Sequence, residues 1–180
     1  IDYYQIWDQP NLMASWGNLE PSAADYTALL QEAYTAIHQA DATAVVLAAG
    51  LAPTTETGPR NLSDVLFLRE MYAQGAAPYF DAAAAKPYGF DTGPDDRRVD
   101  ESVLNFSRII LLREEMLRQG DGEKALWAVE FGWNALPETW TGMPSIWGTQ
   151  SRENQQRFIQ EAYARAEREW PWLGGLIVYT

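Results

Sequence analysis

Apolar residues recur at helical spacing in four stretches of the chain. In each stretch they repeat every three or four residues, which places their side chains on one face of an α-helix. The four stripes cover residues 26–37, 62–72, 103–117 and 158–170. Ser22 and Ser151 precede the first and last stripes as N-cap residues, and Gly75 and Gly120 follow the second and third as helix stops.

Short, unbroken apolar runs lie before, between and after these stripes. They cover residues 3–7, 44–49, 79–85, 126–131 and 173–179. Strands without polar alternation are typical of a parallel sheet that helices cover on its faces. The order, four strand–helix units and then a last strand, therefore predicts an α/β protein.

Longer segments with Pro, Gly and polar residues follow several of these strands, at 51–60, 87–101 and 135–150. In a TIM (β/α)8 barrel the loops after the strands carry the active site. The pattern therefore favours part of such a barrel, with about five strands and four helices, in which residues 1–180 form one partial domain. Because its edge strands would be unpaired, we expect missing barrel strands or self-association.

Composition narrows the range of ligands. The chain has 25 acidic and 13 basic residues, a net charge of -12, which disfavours nucleic acid or an anionic membrane as partner. No apolar run reaches the ~18 residues that span a bilayer. Cysteine is absent and His38 is the single histidine, so thiolate sites, His-based triads and multi-His metal sites are disfavoured. We expect no metal and no organic cofactor, and a neutral ligand such as sugar fits.

The strand ends carry the candidate chemistry. Glu130 lies in an apolar, aromatic run, and a buried carboxylate costs several kcal/mol unless it is used. Polar and aromatic residues also follow the other strands, and the ends of parallel strands converge on one face. The combination suits a sugar, whose C–H faces stack on aromatic rings and whose hydroxyls bond to amides and carboxylates. Three further tryptophans, Trp16, Trp140 and Trp147, lie in predicted loops where no core requires them.

These motifs resemble the clan-A retaining glycoside hydrolases, the family 39 and family 5-like cellulase superfamily. In that group strand four ends in an aromatic residue and Asn-Glu-Pro, which matches Trp7-Asp8-Gln9-Pro10. The strand-seven nucleophile is a Glu, followed by an aromatic residue and Gly, as in Glu130-Phe131-Gly132. The strand-six motif His-Pro-Tyr-Gly matches Lys86-Pro87-Tyr88-Gly89, and Tyr179 takes the place of a Trp that ends strand eight.

The resemblance implies that the chain represents barrel strands four to eight of a retaining glycosidase. Glu130 would then be the nucleophile, with Gln9 at the acid/base position. The residues expected to bind the substrate are Trp7, Asp8, Asn11, Lys86, Tyr88, Trp133 and Tyr179. Gln cannot exchange a proton, and losing acid/base help costs about 10²–10⁴-fold in rate. Asp8 is a conceivable substitute, although neighbouring residues at a strand end point to opposite sides.

Two other interpretations stay open. A carbohydrate-binding pseudoenzyme would keep the aromatic surface and Glu130 and lack catalysis, which the glutamine at position 9 favours. A half-barrel without a sugar site would assemble with another chain. In that case Glu130 would be a structural acid, paired with Lys86 or an arginine.

Overall fold

The computed structural model describes residues 2–179, and within them five strands alternate with four helices as the sequence predicts. The strands are β1 (Tyr3–Gln5), β2 (Val45–Leu51), β3 (Ala82–Ala85), β4 (Ala125–Phe131) and β5 (Leu173–Val178). The helices are α1 (Ala23–Ala40), α2 (Asp64–Ala73), α3 (Ile109–Arg118) and α4 (Arg152–Glu169). Ile1 and Thr180 lie outside the described residues.

The five strands form one parallel sheet in chain order, β1-β2-β3-β4-β5. Each strand pairs with the one that precedes it, and a helix covers each crossover. The sheet curls into a half-barrel, consistent with part of a (β/α)8 barrel. The carboxyl ends of all five strands therefore meet at one rim.

Helix ends follow the predicted signals. The Ser22 hydroxyl accepts a hydrogen bond from the Asp25 amide at 3.1 Å, and Ser151 caps α4 in the same way. Gly75 and Gly120 have φ of +82° and +77°, in the left-handed region that glycine enters at low cost.

Two element starts differ from the sequence prediction. The third apolar stripe begins at Val103, but α3 begins at Ile109, after a short 3-10 helix over Phe106–Arg108. The third apolar run begins at Tyr79, but β3 begins at Ala82, because a 3-10 turn covers Ala77–Tyr79 with Pro78 in its first turn. Apolar side chains in a 3-10 turn pack into the core as those of a strand do, so hydrophobicity alone does not separate them.

A buried arginine fixes the loops that surround the carboxyl rim. Arg108 pairs with Asp64 at 2.6 Å, and both side chains are almost fully buried. Arg108 also donates to the carbonyls of Thr54, Glu101 and Val103, at 2.9 to 3.0 Å. These bonds join the segment after β2 and the segment after β3 to the same side chain. Within residues 2–179, no helix has the length and apolar character to cross a bilayer.

Candidate active site

A cavity of about 290 Å³ opens at the carboxyl rim of the sheet. All the predicted site residues line it except Trp7 and Asn11. The lining residues are Asp8, Gln9, Lys86, Tyr88, Glu130, Gly132, Trp133, Asn134, Trp147 and Tyr179. Residues from the ends of β1, β3, β4 and β5 thus meet at one site, as the parallel topology requires.

One ammonium group holds two carboxylates at the base of this cavity. Lys86 Nζ lies 2.7 Å from Asp8 Oδ1 and 2.9 Å from Glu130 Oε1. The Lys86 side chain is 2% exposed, whereas those of Asp8 and Glu130 are 54% and 27% exposed. The ammonium contacts both carboxylates, and both remain accessible from the cavity.

Tyr88 holds the other oxygen of the Glu130 carboxylate. Its phenol donates a hydrogen bond to Glu130 Oε2. Burial, and then this hydrogen bond, raise the pKa of the Tyr88 phenol well above its ordinary value. The phenol therefore keeps its proton at neutral pH. Since Lys86 bonds to Oε1 and Tyr88 to Oε2, the carboxylate of Glu130 is held in one orientation.

Gly50 on β2 leaves room for the Lys86 side chain. A Cβ at position 50 would lie 2.6 Å from Val129 Cγ2 and 3.1 Å from Lys86 Cε. Both distances are shorter than ordinary carbon–carbon contacts. Any larger residue at this position would displace the lysine or the neighbouring strand.

The turn after β1 directs two successive side chains to the cavity. Trp7 and Gln9 have φ of +70° and +50°, in the left-handed region that is unusual for non-glycine residues. The turn is held because the Gln9 amide donates to the Gly50 carbonyl at 3.1 Å and Gln5 Nε2 donates to the Trp7 carbonyl at 3.0 Å. The expectation that neighbouring residues point to opposite sides is therefore wrong for Asp8 and Gln9, because the chain is not extended here.

Asn11 has a structural position rather than the expected place in the sugar site. It is fully buried. Its Nδ2 donates to the carbonyls of Ala52 and Leu62 at 2.8 and 2.9 Å, and its Oδ1 accepts from the Ala52 amide at 2.9 Å. All of its side-chain groups are used within the protein, so it joins the segment after β1 to the loop after β2.

The two predicted tryptophans also differ from expectation. The Trp133 side chain is 1% exposed and packs beside Phe158, with ring centroids 5.4 Å apart. Its indole N–H donates to the Thr92 carbonyl at 2.6 Å, so this ring supports the cavity wall from behind and offers no face to a sugar. Trp7 lies outside the cavity, half-exposed and stacked on Trp16 at 6.0 Å.

Trp147 and Asn134 line the cavity and are additions to the predicted set. Trp147 is 37% exposed and lies 4.9 Å from the Tyr88 ring. Asn134 Nδ2 donates to the Gly148 carbonyl at 3.1 Å, and this bond closes the loop that carries Trp147. A tryptophan in a polar loop is the sequence signal for Trp147, but the sequence does not separate it from Trp140 in the same loop.

Among residues 2–179, no group of three or more His, Asp or Glu side chains is arranged to hold a metal ion. Asp95 and Asp96, which lie in an acidic loop, pair instead with Arg97 and Arg98.

The fold is similar to that of several solved glycoside hydrolases. A glucosidase from Croceicoccus marinus superposes with a TM-score of 0.69 at 16% identity, over 99% of this chain and 32% of that chain. An α-L-arabinofuranosidase from Thermotoga maritima superposes with a TM-score of 0.66 at 12% identity, over 98% and 33%. A family 128 exo-β-1,3-glucanase from Cryptococcus neoformans has a TM-score of 0.60 at 13% identity, over 99% and 56%.

These likenesses show a glycoside-hydrolase-like fold, since identities this low carry information about the backbone alone. The chain spans about a third of the length of the first two structures and just over half of the third. No protein-family model matches the sequence, and no curated protein sequence does.

Proposed function

We propose that this chain carries the site of a retaining glycoside hydrolase of the clan-A, family 39 and family 5-like type. Its substrate would be an O-glycosidic bond of an oligo- or polysaccharide. The observation that carries the proposal is the Glu130 carboxylate, held at the carboxyl end of β4 by Lys86 and Tyr88 and open to the cavity. The similarity of the half-barrel to solved glycosidases supports it.

In this proposal Glu130 attacks the anomeric carbon of the bound sugar. The bond to the leaving oxygen breaks, and a glycosyl ester forms on Glu130. Lys86 and Tyr88 direct the carboxylate at the sugar and stabilise it when the ester breaks. Gln9 stands at the position of the acid/base and cannot supply a proton.

Aromatic rings on one side of the cavity suit a sugar. Tyr88 lies between Trp147 and Tyr179, at centroid distances of 4.9 and 6.5 Å. The exposed ring of Trp147 offers a stacking surface to the C–H face of a sugar. Trp147 and Tyr179 would therefore bind the substrate, with the polar groups of Asp8 and Asn134 close to its hydroxyls.

The decisive test is the capture of a glycosyl-enzyme. The chain is mixed with 2,4-dinitrophenyl glycosides of glucose, galactose, xylose, glucuronic acid and L-arabinofuranose. These compounds release dinitrophenolate without help from an acid, so a burst of about one equivalent is expected with at least one sugar. The matching 2-deoxy-2-fluoro glycoside should leave a sugar on the peptide that contains Glu130.

The control variants are Glu130→Gln and Glu138→Gln. Glu138 is an exposed carboxylate in the loop after β4. Glu130→Gln should abolish the burst and the label, while Glu138→Gln should retain both. A burst that persists in Glu130→Gln would exclude Glu130 as the nucleophile.

The second candidate is a carbohydrate-binding pseudoenzyme, which the glutamine at position 9 favours. It predicts that cello-, xylo- and arabino-oligosaccharides bind in calorimetry although no dinitrophenyl glycoside gives a burst. Trp147→Ala should then weaken binding by about 2- to 12-fold, given ~0.5–1.5 kcal/mol for an aromatic contact. Trp140→Ala, at the other tryptophan of the loop, is the matched control. If the chain gives no burst and binds no oligosaccharide, the remaining interpretation is a half-barrel without a sugar site that assembles with another chain.

A further inference from the structure

The two carboxylates that share Lys86 lie close enough to act on the same glycosidic bond. Lys86 Nζ is 2.7 Å from Asp8 Oδ1 and 2.9 Å from Glu130 Oε1. These oxygens therefore lie no more than about 5.6 Å apart, which excludes the ~6.5–9.5 Å separation of an inverting glycosidase.

The backbone turn is what brings Asp8 to this position. The left-handed residues Trp7 and Gln9 flank it on either side, and Asp8 itself pairs with Gly50 as an isolated parallel bridge. This geometry presents Asp8 to the buried ammonium of Lys86. Unstrained strand geometry would place either Asp8 or Gln9 in the cavity, whereas here both line it.

Accessibility also separates the roles of the two carboxylates. Glu130 is the more enclosed one, with Lys86 at one oxygen and Tyr88 at the other, whereas Lys86 alone contacts both oxygens of Asp8 at 2.7 and 2.9 Å. The Asp8 side chain is 54% exposed, so it can exchange a proton with water and reach a leaving group at the cavity mouth. A carboxylate held at both oxygens by different donors is oriented as a nucleophile requires, and a second carboxylate that is accessible from the cavity can contact the leaving oxygen.

We propose that Asp8, rather than Gln9, is the acid/base residue of this site. This inference rests on the proposed function, in which Glu130 is the nucleophile. It explains how the site could turn over glycosides although glutamine stands at position 9, where the glycosidase motif has the acid/base glutamate.

The proposed reaction has two steps, formation and hydrolysis of the glycosyl-enzyme. In the first, the protonated Asp8 gives its proton to the glycosidic oxygen, which leaves with the electron pair of the C–O bond while a Glu130 oxygen bonds to the anomeric carbon. In the second, the Asp8 carboxylate takes a proton from water, the water oxygen bonds to the anomeric carbon, and the ester electron pair returns to Glu130.

The experiment compares Asp8→Asn with Gln9→Ala, using the dinitrophenyl and phenyl glycosides of whichever sugar gives a burst. Phenolate is a poor leaving group that needs a proton, so Asp8→Asn should lower its release by about 10²–10⁴-fold. The dinitrophenolate burst should stay within about 10-fold of the unchanged chain, because that step needs no acid. Gln9→Ala should affect the two leaving groups equally.

Sodium azide supplies a readout that a merely structural role would not change. Azide needs no general base, so it should restore turnover of the Asp8→Asn glycosyl-enzyme and yield a glycosyl azide of retained configuration, after two inversions at the anomeric carbon. In Glu130→Ala, azide should instead displace the leaving group once and yield the inverted azide. Circular dichroism of each variant establishes that it is folded.

The outcomes separate this inference from the proposed function. A burst with equal losses for both leaving groups in Asp8→Asn, and no azide product, would overturn the role of Asp8 and leave Glu130 as nucleophile. A gain of about 10²-fold or more on phenyl glycosides in Gln9→Glu, with Asp8→Asn unaffected, would return the role to position 9. No burst in any variant would overturn the proposed function, and this inference with it.

Discussion

Arg108 and Lys86 are both buried basic side chains that pair with carboxylates, and the two groups have different consequences. Asp64 and Arg108 are 4% and 1% exposed, and Arg108 also bonds to three backbone carbonyls. Lys86 is buried to the same extent, but its partners Asp8 and Glu130 reach a cavity of about 290 Å³. The first pair is closed by protein on every side, and the second has one side open.

The difference separates a charged pair that is enclosed by the fold from a charged cluster that a ligand can reach. The donors of Arg108 are occupied by groups of the loops and of α2, so its ion pair secures the fold and has no capacity for a ligand. The carboxylates at Lys86 line the cavity and are partly exposed. A buried charge therefore indicates a functional site only where its partners are accessible to a substrate.

The largest expected effect comes from breaking the closed pair. Arg108→Met leaves the Asp64 carboxylate buried without a counter-charge, and we expect a loss of about 3–5 kcal/mol in the free energy of unfolding. Urea denaturation measures it. The matched control, Asp64→Leu with Arg108→Met, removes both charges and should recover most of the loss. A loss below about 1 kcal/mol for Arg108→Met would contradict the structural role.

Filling the space at Gly50, beside Lys86, should cause the second-largest loss of stability. Gly50→Ala places a methyl group 2.6 Å from Val129 Cγ2, and overpacking of this kind costs about 1–3 kcal/mol. Thermal denaturation measures the loss, and the glycosyl-enzyme burst should fall because Lys86 moves. Val129→Ala in the same chain removes the contacting methyl group and should restore part of the stability. Full stability of Gly50→Ala alone would show that the neighbouring strands have room to shift.

Breaking the open pair should cost less than breaking the closed one. Lys86→Met leaves Asp8 and Glu130 unpaired but solvated, so the loss should be roughly 1–2 kcal/mol in the free energy of unfolding. A double-mutant cycle with Asp8→Asn gives the coupling between the two side chains. A loss equal to that of Arg108→Met would mean that water does not reach Asp8 and Glu130, which would contradict the difference between the two charged groups.

The smallest effect concerns a third cluster, in which two of the three arginines are exposed. Glu169 accepts hydrogen bonds from Arg97, Arg165 and Arg168, which lower its pKa to about 2, with Arg97 the largest cause. A pKa below that of the unfolded chain stabilises the fold at neutral pH, and the gain disappears as the pH falls from about 4.5 to 2.

Glu169→Gln should therefore lower stability at pH 7 by less than about 1 kcal/mol, and its difference from the unchanged chain should vanish near pH 2. Glu167→Gln, an exposed residue on the same helix, is the control and should show little change at either pH. A difference that stays constant from pH 7 to pH 2 would contradict the titration of Glu169.

Sequence reasoning located the elements because their signals are local. Helical stripes, unbroken apolar strands and the caps at Ser22 and Ser151 depend on residues a few positions apart, and the structure has all of them. The convergence of Lys86, Tyr88 and Glu130 also followed from the sequence, since parallel strands place their carboxyl ends at one rim. The glutamine at position 9 was equally readable from the chain.

Side-chain direction and exposure were decided by tertiary structure. Asn11 and Trp133 have the residue types of a sugar site, but contacts with segments about 40 residues away bury them. Two left-handed residues, which no local pattern predicts, direct Asp8 toward Lys86. The sequence by itself thus determined which strand ends carry the candidate site residues, because periodicity and the order of the elements are properties of the chain. Only the packed structure decided which of those side chains face the cavity, because their direction depends on backbone turns and long-range hydrogen bonds.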